Sequence, residues 1–458
     1  MYDVIVIGSG PAGEGAAISA AKHNLNVALV EAHSRVGGNC TFKGTIPSKA
    51  LRHVVERANA FERSAIFNPS SQPIKVSVPD VLKHVSKIID KQVARRSNTF
   101  YRNDIDVIQG KASFSDRNTV HISKDDGSTD TVKAKTIIIA TGSSPFNPND
   151  IDFAHPRIYD SNTILDMKEH PKSIIIYGAG VIGSEYASIF KGLGLRVTLI
   201  NTRERLLSFL DDEVTHALSY HFINNGISVK HNESYSHING CSNHVEVKLK
   251  SNKVLTADCL LFANGRSGNT INLGLDKVGL KTDSRGLLSV NDRYQTDVPN
   301  IYAIGDVIGY PSLASTSFEQ GRVVGEHVAC ESERKLSKTL PSGIYTIPDI
   351  SFVGLTEQEL TKDGVPYEIG KAHFKHLAGA QIADCEVGFL KILFCPDTFK
   401  ILGIHCFGER SAEIIHIGQA VMESSDNTIE YFANATFNYP TMAEAYRVAA
   451  LNGINKLR

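Results

Sequence analysis

β-branched apolar runs followed by glycine recur along the chain. The run Val4-Ile5-Val6-Ile7 leads into Gly8-Ser9-Gly10-Pro11-Ala12-Gly13, an Ala-rich stretch of helical character, and the apolar Val27-Ala28-Leu29-Val30. The run Ile174-Ile175-Ile176-Tyr177 leads into Gly178-Ala179-Gly180-Val181-Ile182-Gly183, a second helical stretch, and Val197-Thr198-Leu199-Ile200. The pattern predicts two strand–helix–strand units, each with a G-x-G-x-x-G turn between strand and helix, as a βαβ dinucleotide fold requires. Such glycines allow a tight turn and close backbone approach to a pyrophosphate, and the helix start offers free N–H groups and a favourable dipole. One such turn alone can merely pack a helix on a strand; two in matching context point to two dinucleotide sites. The position that reads the ribose falls 18 residues beyond the last glycine in both, at Glu31 and Asn201.

Other patterned segments fill in the organisation. Ala140-Thr141-Gly142 follows Ile137-Ile138-Ile139, Ala263-Asn264-Gly265-Arg266 follows Leu260-Leu261-Phe262, and Tyr302-Ala303-Ile304 runs into Gly305-Asp306. Lys83, Lys87, Lys91, Arg95 and Arg96 alternate with Val81, Leu82, Val85, Ile88, Ile89 and Val93, which predicts an amphipathic helix with a solvated basic face. From about Thr346 the chain is β-rich and then helical, without glycine fingerprints. His405 and Cys406 lie in the apolar run from Ile401 to Phe407 and read as interior or interface packing.

Composition narrows the function classes. At 458 residues the chain exceeds a single hydrophobic core and suggests about three domains. Its net charge of −1 argues for neither a nucleic-acid nor an anionic-membrane partner. The seven cysteines include no Cys-x-x-Cys, so neither a zinc site nor a thioredoxin-type dithiol is suggested, and no metal is expected. No apolar run approaches the roughly 20 residues of a membrane-spanning helix. The first strand begins at Tyr2 with no signal-peptide pattern before it, so a cytoplasmic location is the expectation.

The segment Gly37-Gly38-Asn39-Cys40-Thr41-Phe42-Lys43-Gly44-Thr45-Ile46-Pro47-Ser48-Lys49 resembles the active-site segment of the FAD-dependent pyridine nucleotide–disulfide oxidoreductases. With the two glycine motifs and the Gly305-Asp306 turn, the likeness spans essentially the whole chain. It implies an α/β fold with two Rossmann-like dinucleotide-binding domains, for FAD and NAD(P), and a C-terminal α+β dimerisation domain. The implied boundaries are 1–150 and 271–342 for the two parts of the FAD domain, 151–270 for the inserted NAD(P) domain and 343–458 for the interface domain. The FAD site would draw on Gly8, Gly10, Gly13, Glu31, Cys40, Gly142 and Asp306, whose family counterpart bonds the ribityl chain. The nicotinamide site would draw on Gly178, Gly180, Gly183, Asn201, Arg203, Arg205 and Gly265.

Two departures from the family pattern carry the functional reading. The family's active disulfide joins cysteines five positions apart; here Cys40 fills the first position and Thr45 the second. A hydroxyl neither closes a disulfide nor serves as a low-pKa nucleophile. The family's acid–base histidine near the C-terminus is also replaced: Tyr439-Pro440-Thr441-Met442-Ala443-Glu444 keeps Glu444 but has Tyr439 where histidine is expected. A phenol titrating near pH 10 is a poor proton shuttle at neutrality. Cys40 then reads either as a free thiol beside the flavin or as a small buried residue.

Electrons entering the flavin must therefore leave without a dithiol. Asn201 is neutral where NAD-specific relatives carry an acid, and Arg203 and Arg205 can hold a 2′-phosphate. The expected reaction is reversible hydride transfer between NADPH and NAD⁺ through bound FAD, in ping-pong order, by a homodimer or larger homo-oligomer. Lys49, Glu185 and Thr45 are the expected catalytic residues, with Lys49 and Glu185 paired near the flavin N5 as in the family. An NAD(P)H diaphorase or oxidase, and a non-catalytic FAD-binding redox-responsive protein, remain as alternatives.

Overall fold

The computed structural model describes residues 1–64, 66–68, 76–330 and 332–457. Arg458, the last residue of the expected interface domain, lies outside the described residues. The strand Tyr2–Ile7 pairs in parallel with Val27–Glu31 on one side and with the end of the long strand Thr129–Ile139 on the other. Asp106–Gln109 and Ile301–Ala303 extend the sheet in the same sense. Successive side chains of a strand face opposite ways. Val4 and Val6 accordingly meet Ala12, Ala16 and Val324 of the helices Pro11–Lys22 and Ala314–Cys330. Ile5 and Ile7 meet Phe114 and Val120 of an antiparallel meander. Burial on both faces explains why these runs are apolar throughout rather than alternating.

A second parallel sheet has Ser173–Tyr177 at its centre, between Arg196–Ile200 and Cys259–Phe262, with Ser228–Lys230 and Ile158–Asp160 at its edges. The third sheet is antiparallel and runs Ser342–Ile344, Ile350–Gly354, Ile401–Gly408, Gly388–Phe394, Glu368–His373. Helices Ser411–Met422 and Glu444–Asn455 pack on it, Ile415, Ala445 and Ala449 joining Ile392 and Ile404 in one core. His405 and Cys406 are fully buried in its central strand. No helix among the described residues is long and apolar enough to cross a membrane.

The basic helix Val78–Arg102 differs from its expected form in one residue. Arg96 belongs not to the solvated face but to the buried one, where its Nε lies 2.9 Å from Glu14 Oε2 on the first Gly-rich helix. Its position matches the core stripe of Val85 and Phe100, and a buried guanidinium is tolerated there because it is paired.

A buried charge cluster between the second and third units had no sequence signal. Lys391, in the otherwise apolar strand Gly388–Phe394, is fully buried; its Nζ lies 2.8 Å from Asp211 and also contacts Glu357. Burial opposes its charge, but hydrogen bonds to Asp211 and Glu357 outweigh this and hold its pKa above the usual lysine value.

Candidate functional site

The first Gly-rich turn is shaped by contact between its own backbone atoms. A Cβ on Gly13 would fall 1.8 Å from the Gly8 carbonyl oxygen, and the same holds for Gly183 against Gly178, so only glycine permits either turn. Gly10 and Gly180 occupy the N-cap positions of their helices and give no side-chain cap, which leaves the first N–H groups available. Glu31, 5 % exposed at the end of its strand, accepts hydrogen bonds from Ser9 N at 3.0 Å, from the Ser9 hydroxyl and from His33 N at 2.9 Å. Ser9 Oγ in turn accepts from Gly37 N at 2.7 Å, so the carboxylate ties the Gly-rich turn to the start of the active segment.

Asp306 begins the short helix Gly305–Ile308 and accepts from Ser143 Oγ at 2.7 Å. Arg266 donates to Ser143 Oγ and to the Ser143 carbonyl at 2.8 and 2.6 Å, and burial holds its pKa below the usual arginine value. The Ser143–Pro145 and Arg266–Gly268 strands thus join the two Gly-containing turns after Gly142 and Gly265. Asn269 bonds the carbonyls of both Thr141 and Gly142, while the buried Thr141 hydroxyl has no partner among the described residues. An orphaned hydroxyl beside an uncapped Gly-rich helix, with none of the described residues but its chain neighbours within 4 Å of where a Gly142 side chain would start, fits a dinucleotide with a polyol chain such as FAD.

On the nicotinamide side, Asn201 directly follows the strand Arg196–Ile200 and is 4 % exposed. Its Nδ2 donates to the Arg205 carbonyl at 3.0 Å and lies 3.1 Å from His231 Nδ1; its Oδ1 accepts from Arg203 N at 3.2 Å. Asn201 therefore organises the turn that presents the two arginines. Both arginines are exposed but differ: Arg205 pairs with Asp212 at 2.5 Å, whereas Arg203 contacts only the Ser208 hydroxyl at 3.2 Å and has no carboxylate partner among the described residues. Of the two guanidinium groups, that of Arg203 is the less engaged.

The active segment folds into a short helix, Gly38–Phe42, and the long helix Thr45–Arg63. Cys40 and Thr45 flank the break between the two helices, with the Thr45 side chain near enough to the Cys40 thiol to favour its ionised form. Burial pushes that thiol up, and the nearby Thr45 side chain only partly offsets it, so the thiolate is disfavoured. One turn on, Lys49 Nζ lies 2.6 Å from Glu185 Oε2 on helix Val181–Gly192; the glutamate side chain is 5 % exposed and the lysine 27 %. The other carboxylate oxygen, Oε1, accepts from Tyr345 N at 2.9 Å. Tyr345 belongs to the third unit and follows an ordinary strand end, a position with no sequence signal. Tyr439 is 69 % exposed and Glu444 opens the helix Glu444–Asn455, so neither joins this cluster within the protomer.

Comparison with known proteins agrees in extent with this architecture. The family model described as "Pyridine nucleotide-disulphide oxidoreductase" matches residues 2–321, and that of the "Pyridine nucleotide-disulphide oxidoreductase, dimerisation domain" matches residues 340–450. Proteins named soluble pyridine nucleotide transhydrogenase from Serratia proteamaculans and Colwellia psychrerythraea are each 58% identical, the alignment covering 100% of this chain and 98% of theirs. Among solved structures, the HOCl-induced flavoprotein disulfide reductase RclA from Escherichia coli superposes with a TM-score of 0.89 at 25% identity, over 98% of this chain and 99% of its own. Two Gly-rich units, an antiparallel third unit and full-length matches place the chain in one lineage: it belongs to the pyridine nucleotide-disulphide oxidoreductase family.

Proposed function

We propose that this chain catalyses reversible hydride transfer between NADPH and NAD⁺, giving NADP⁺ and NADH, as an FAD-dependent soluble NAD(P)⁺ transhydrogenase. The observation that carries the reading is Thr45 beside Cys40, a hydroxyl where dithiol chemistry needs a second sulfur, within a scaffold that keeps two dinucleotide turns. FAD supplies the two-electron relay. One nicotinamide site implies that the first product leaves before the acceptor enters. NADH and NADPH differ only by a phosphate remote from the nicotinamide, so the step is nearly thermoneutral and the nucleotide pools set its direction.

The chain's own residues divide the work. Gly8, Gly10, Gly13, Glu31, Gly142 and Asp306 would hold FAD, with Cys40 against it as a small, protonated side chain. Gly178, Gly180, Gly183 and Gly265 would seat the nicotinamide nucleotide, and Thr45 would keep the active segment closed without sulfur. Lys49, held by Glu185, would place positive charge where negative charge develops. We assign residues 1–150 and 271–342 to the FAD domain, 151–270 to the NAD(P) domain and 343–458 to a dimerisation domain that supports a cytoplasmic homodimer.

Anaerobic reduction of thio-NAD⁺ by NADPH tests the activity directly, and the Cys40→Ser enzyme should retain most of it. Fast quinone or oxygen reduction with negligible thio-NAD⁺ reduction would indicate a diaphorase or oxidase instead. A loss above roughly a hundredfold in Cys40→Ser, with FAD still bound, would return the chemistry to sulfur.

Nucleotide choice is expected to reside at the turn after Ile200. Removing Arg203, whose guanidinium has no carboxylate partner among the described residues, forfeits a charge-assisted contact of about 1.5–3 kcal/mol. Arg203→Ala should therefore lower kcat/KM for NADPH by roughly tenfold or more, with little change for NADH, measured with a dye acceptor. Asn201→Glu should act in the same direction by placing negative charge beside the phosphate, though it also removes the two bonds from Nδ2. Equal losses for both nucleotides would confine this turn to a structural role.

A further inference from the structure

The Lys49–Glu185 pair is held in place by a segment of the third unit. Residues 345–349 stitch the other two units together. Tyr345 N bonds Glu185 and Ile347 N donates to Ser188 Oγ at 3.1 Å, both on helix Val181–Gly192. From helix Thr45–Arg63, Arg52 donates to the Thr346 carbonyl and to Asp349, each at 2.9 Å. The two helices also touch directly, since a Cβ on Gly192 would lie 2.4 Å from Val55 Cγ1. At the centre of this junction is the Tyr345 ring. Lys49 Nζ sits 4.7 Å from its centroid, and the Arg52 guanidinium carbon 5.9 Å.

We propose that Tyr345 is a positioning residue for hydride transfer, its ring face fixing the Lys49 ammonium against Glu185. Among the described residues the only charged partner of the flexible Lys49 chain is Glu185, and the lysine's other bond, to Ser48 Oγ, is long at 3.3 Å, so the ion pair alone orients the ammonium weakly. An aromatic face supplies a further, orthogonal attraction within the roughly 6 Å over which a cation is drawn to a ring. The backbone donor of the same residue fixes the opposite carboxylate oxygen. One residue thus constrains both members of the pair, and the third unit acts on a joint formed by the other two. Burial, together with the Asp349 and Glu185 carboxylates nearby, pushes the phenol up, so the ring stays neutral and its face electron-rich. The hydroxyl itself is not required, and no proton moves through it. The inference rests on the reading that Lys49 and Glu185 stand at the reacting flavin.

The test uses holoenzyme. In carbon-13 reductively methylated protein, the Lys49 resonance, assigned by its loss in Lys49→Arg, should be shifted upfield by the ring. The shift should persist in Tyr345→Phe and vanish in Tyr345→Leu, which keeps the backbone donor. In single-turnover reduction by NADPH, Tyr345→Leu should be about tenfold slower at unchanged nucleotide affinity, and Tyr345→Phe near wild type. Replacing Tyr345 with phenylalanine carrying one and then three ring fluorines changes the charge on the ring face but hardly its shape. Rates should fall stepwise along that series, which a purely structural role would not produce and which holds even if the leucine variant fails to fold. An unshifted Lys49 resonance in the wild type, or a flat fluorine series, overturns the proposal. Should Lys49→Met itself leave reduction unchanged, the fault lies in the role of the pair; should Lys49→Met be slow but the fluorine series flat, only the role of Tyr345 falls.

Discussion

Lys49→Met should slow the reduction of bound flavin by NADPH about a hundredfold, some 2.7 kcal/mol of barrier, while FAD stays bound. Methionine matches the unbranched stem of lysine as far as Cε and removes the ammonium. In the wild type that charge sits 2.6 Å from a glutamate that is 5 % exposed, at the junction of the two dinucleotide units. Pre-positioned charge in such a site costs no reorganisation at the moment of reaction, and its removal is typically worth several kcal/mol. The variant also leaves the Glu185 carboxylate with Tyr345 N as its remaining bond, an added negative charge where charge must develop. Stopped-flow absorbance of the flavin under anaerobic conditions reads the step in isolation. A reduction rate within threefold of wild type would falsify the role given to this pair.

Lys391→Ala should destabilise the protein by about 3–5 kcal/mol, the usual consequence of removing one partner from a buried ionic cluster. The truncation strands Asp211, which is fully buried, and leaves Glu357 without its cation. Asp211 caps the helix Asp212–Asn224, which lies between the strands Arg196–Ile200 and Ser228–Lys230 of the second sheet, and Lys391 and Glu357 belong to the antiparallel unit, so the damage should fall on the contact between them. Urea or thermal unfolding followed by both flavin fluorescence and circular dichroism should show the two probes separating, because domains that no longer stabilise one another unfold apart. Adding Asp211→Asn and Glu357→Gln should recover part of the loss, since it is unpaired charge rather than missing volume that dominates. If the single variant unfolds at the wild-type midpoint, the cluster is energetically neutral and serves only to align the units.

Much of the architecture was legible because it is written in short-range terms. The runs at Val4 and Ile174 declare buried parallel strands, and Gly13 and Gly183 declare turns that leave no room for a Cβ. Thr45 is legible for a different reason: a disulfide needs two sulfurs, and one letter at a known spacing removes the possibility. The contact between Lys49 and Glu185 was expected from family resemblance alone, since 136 residues separate them and no local periodicity connects them.

What the chain determined by itself was therefore whatever depends on near neighbours: strand and helix type, the glycine turns, the missing dithiol. Only the tertiary structure decided that Arg96 turns inward to Glu14, that Asn201 spends its amide on its own turn, and that Lys391 is buried among carboxylates. It alone brought Tyr345 of the third unit over Lys49 of the first and against Glu185 of the second. The physical reason is common to the charged and aromatic contacts among them. A charge or an aromatic ring is indifferent to sequence distance; its energy is set by burial and by which partners the fold brings within a few ångströms.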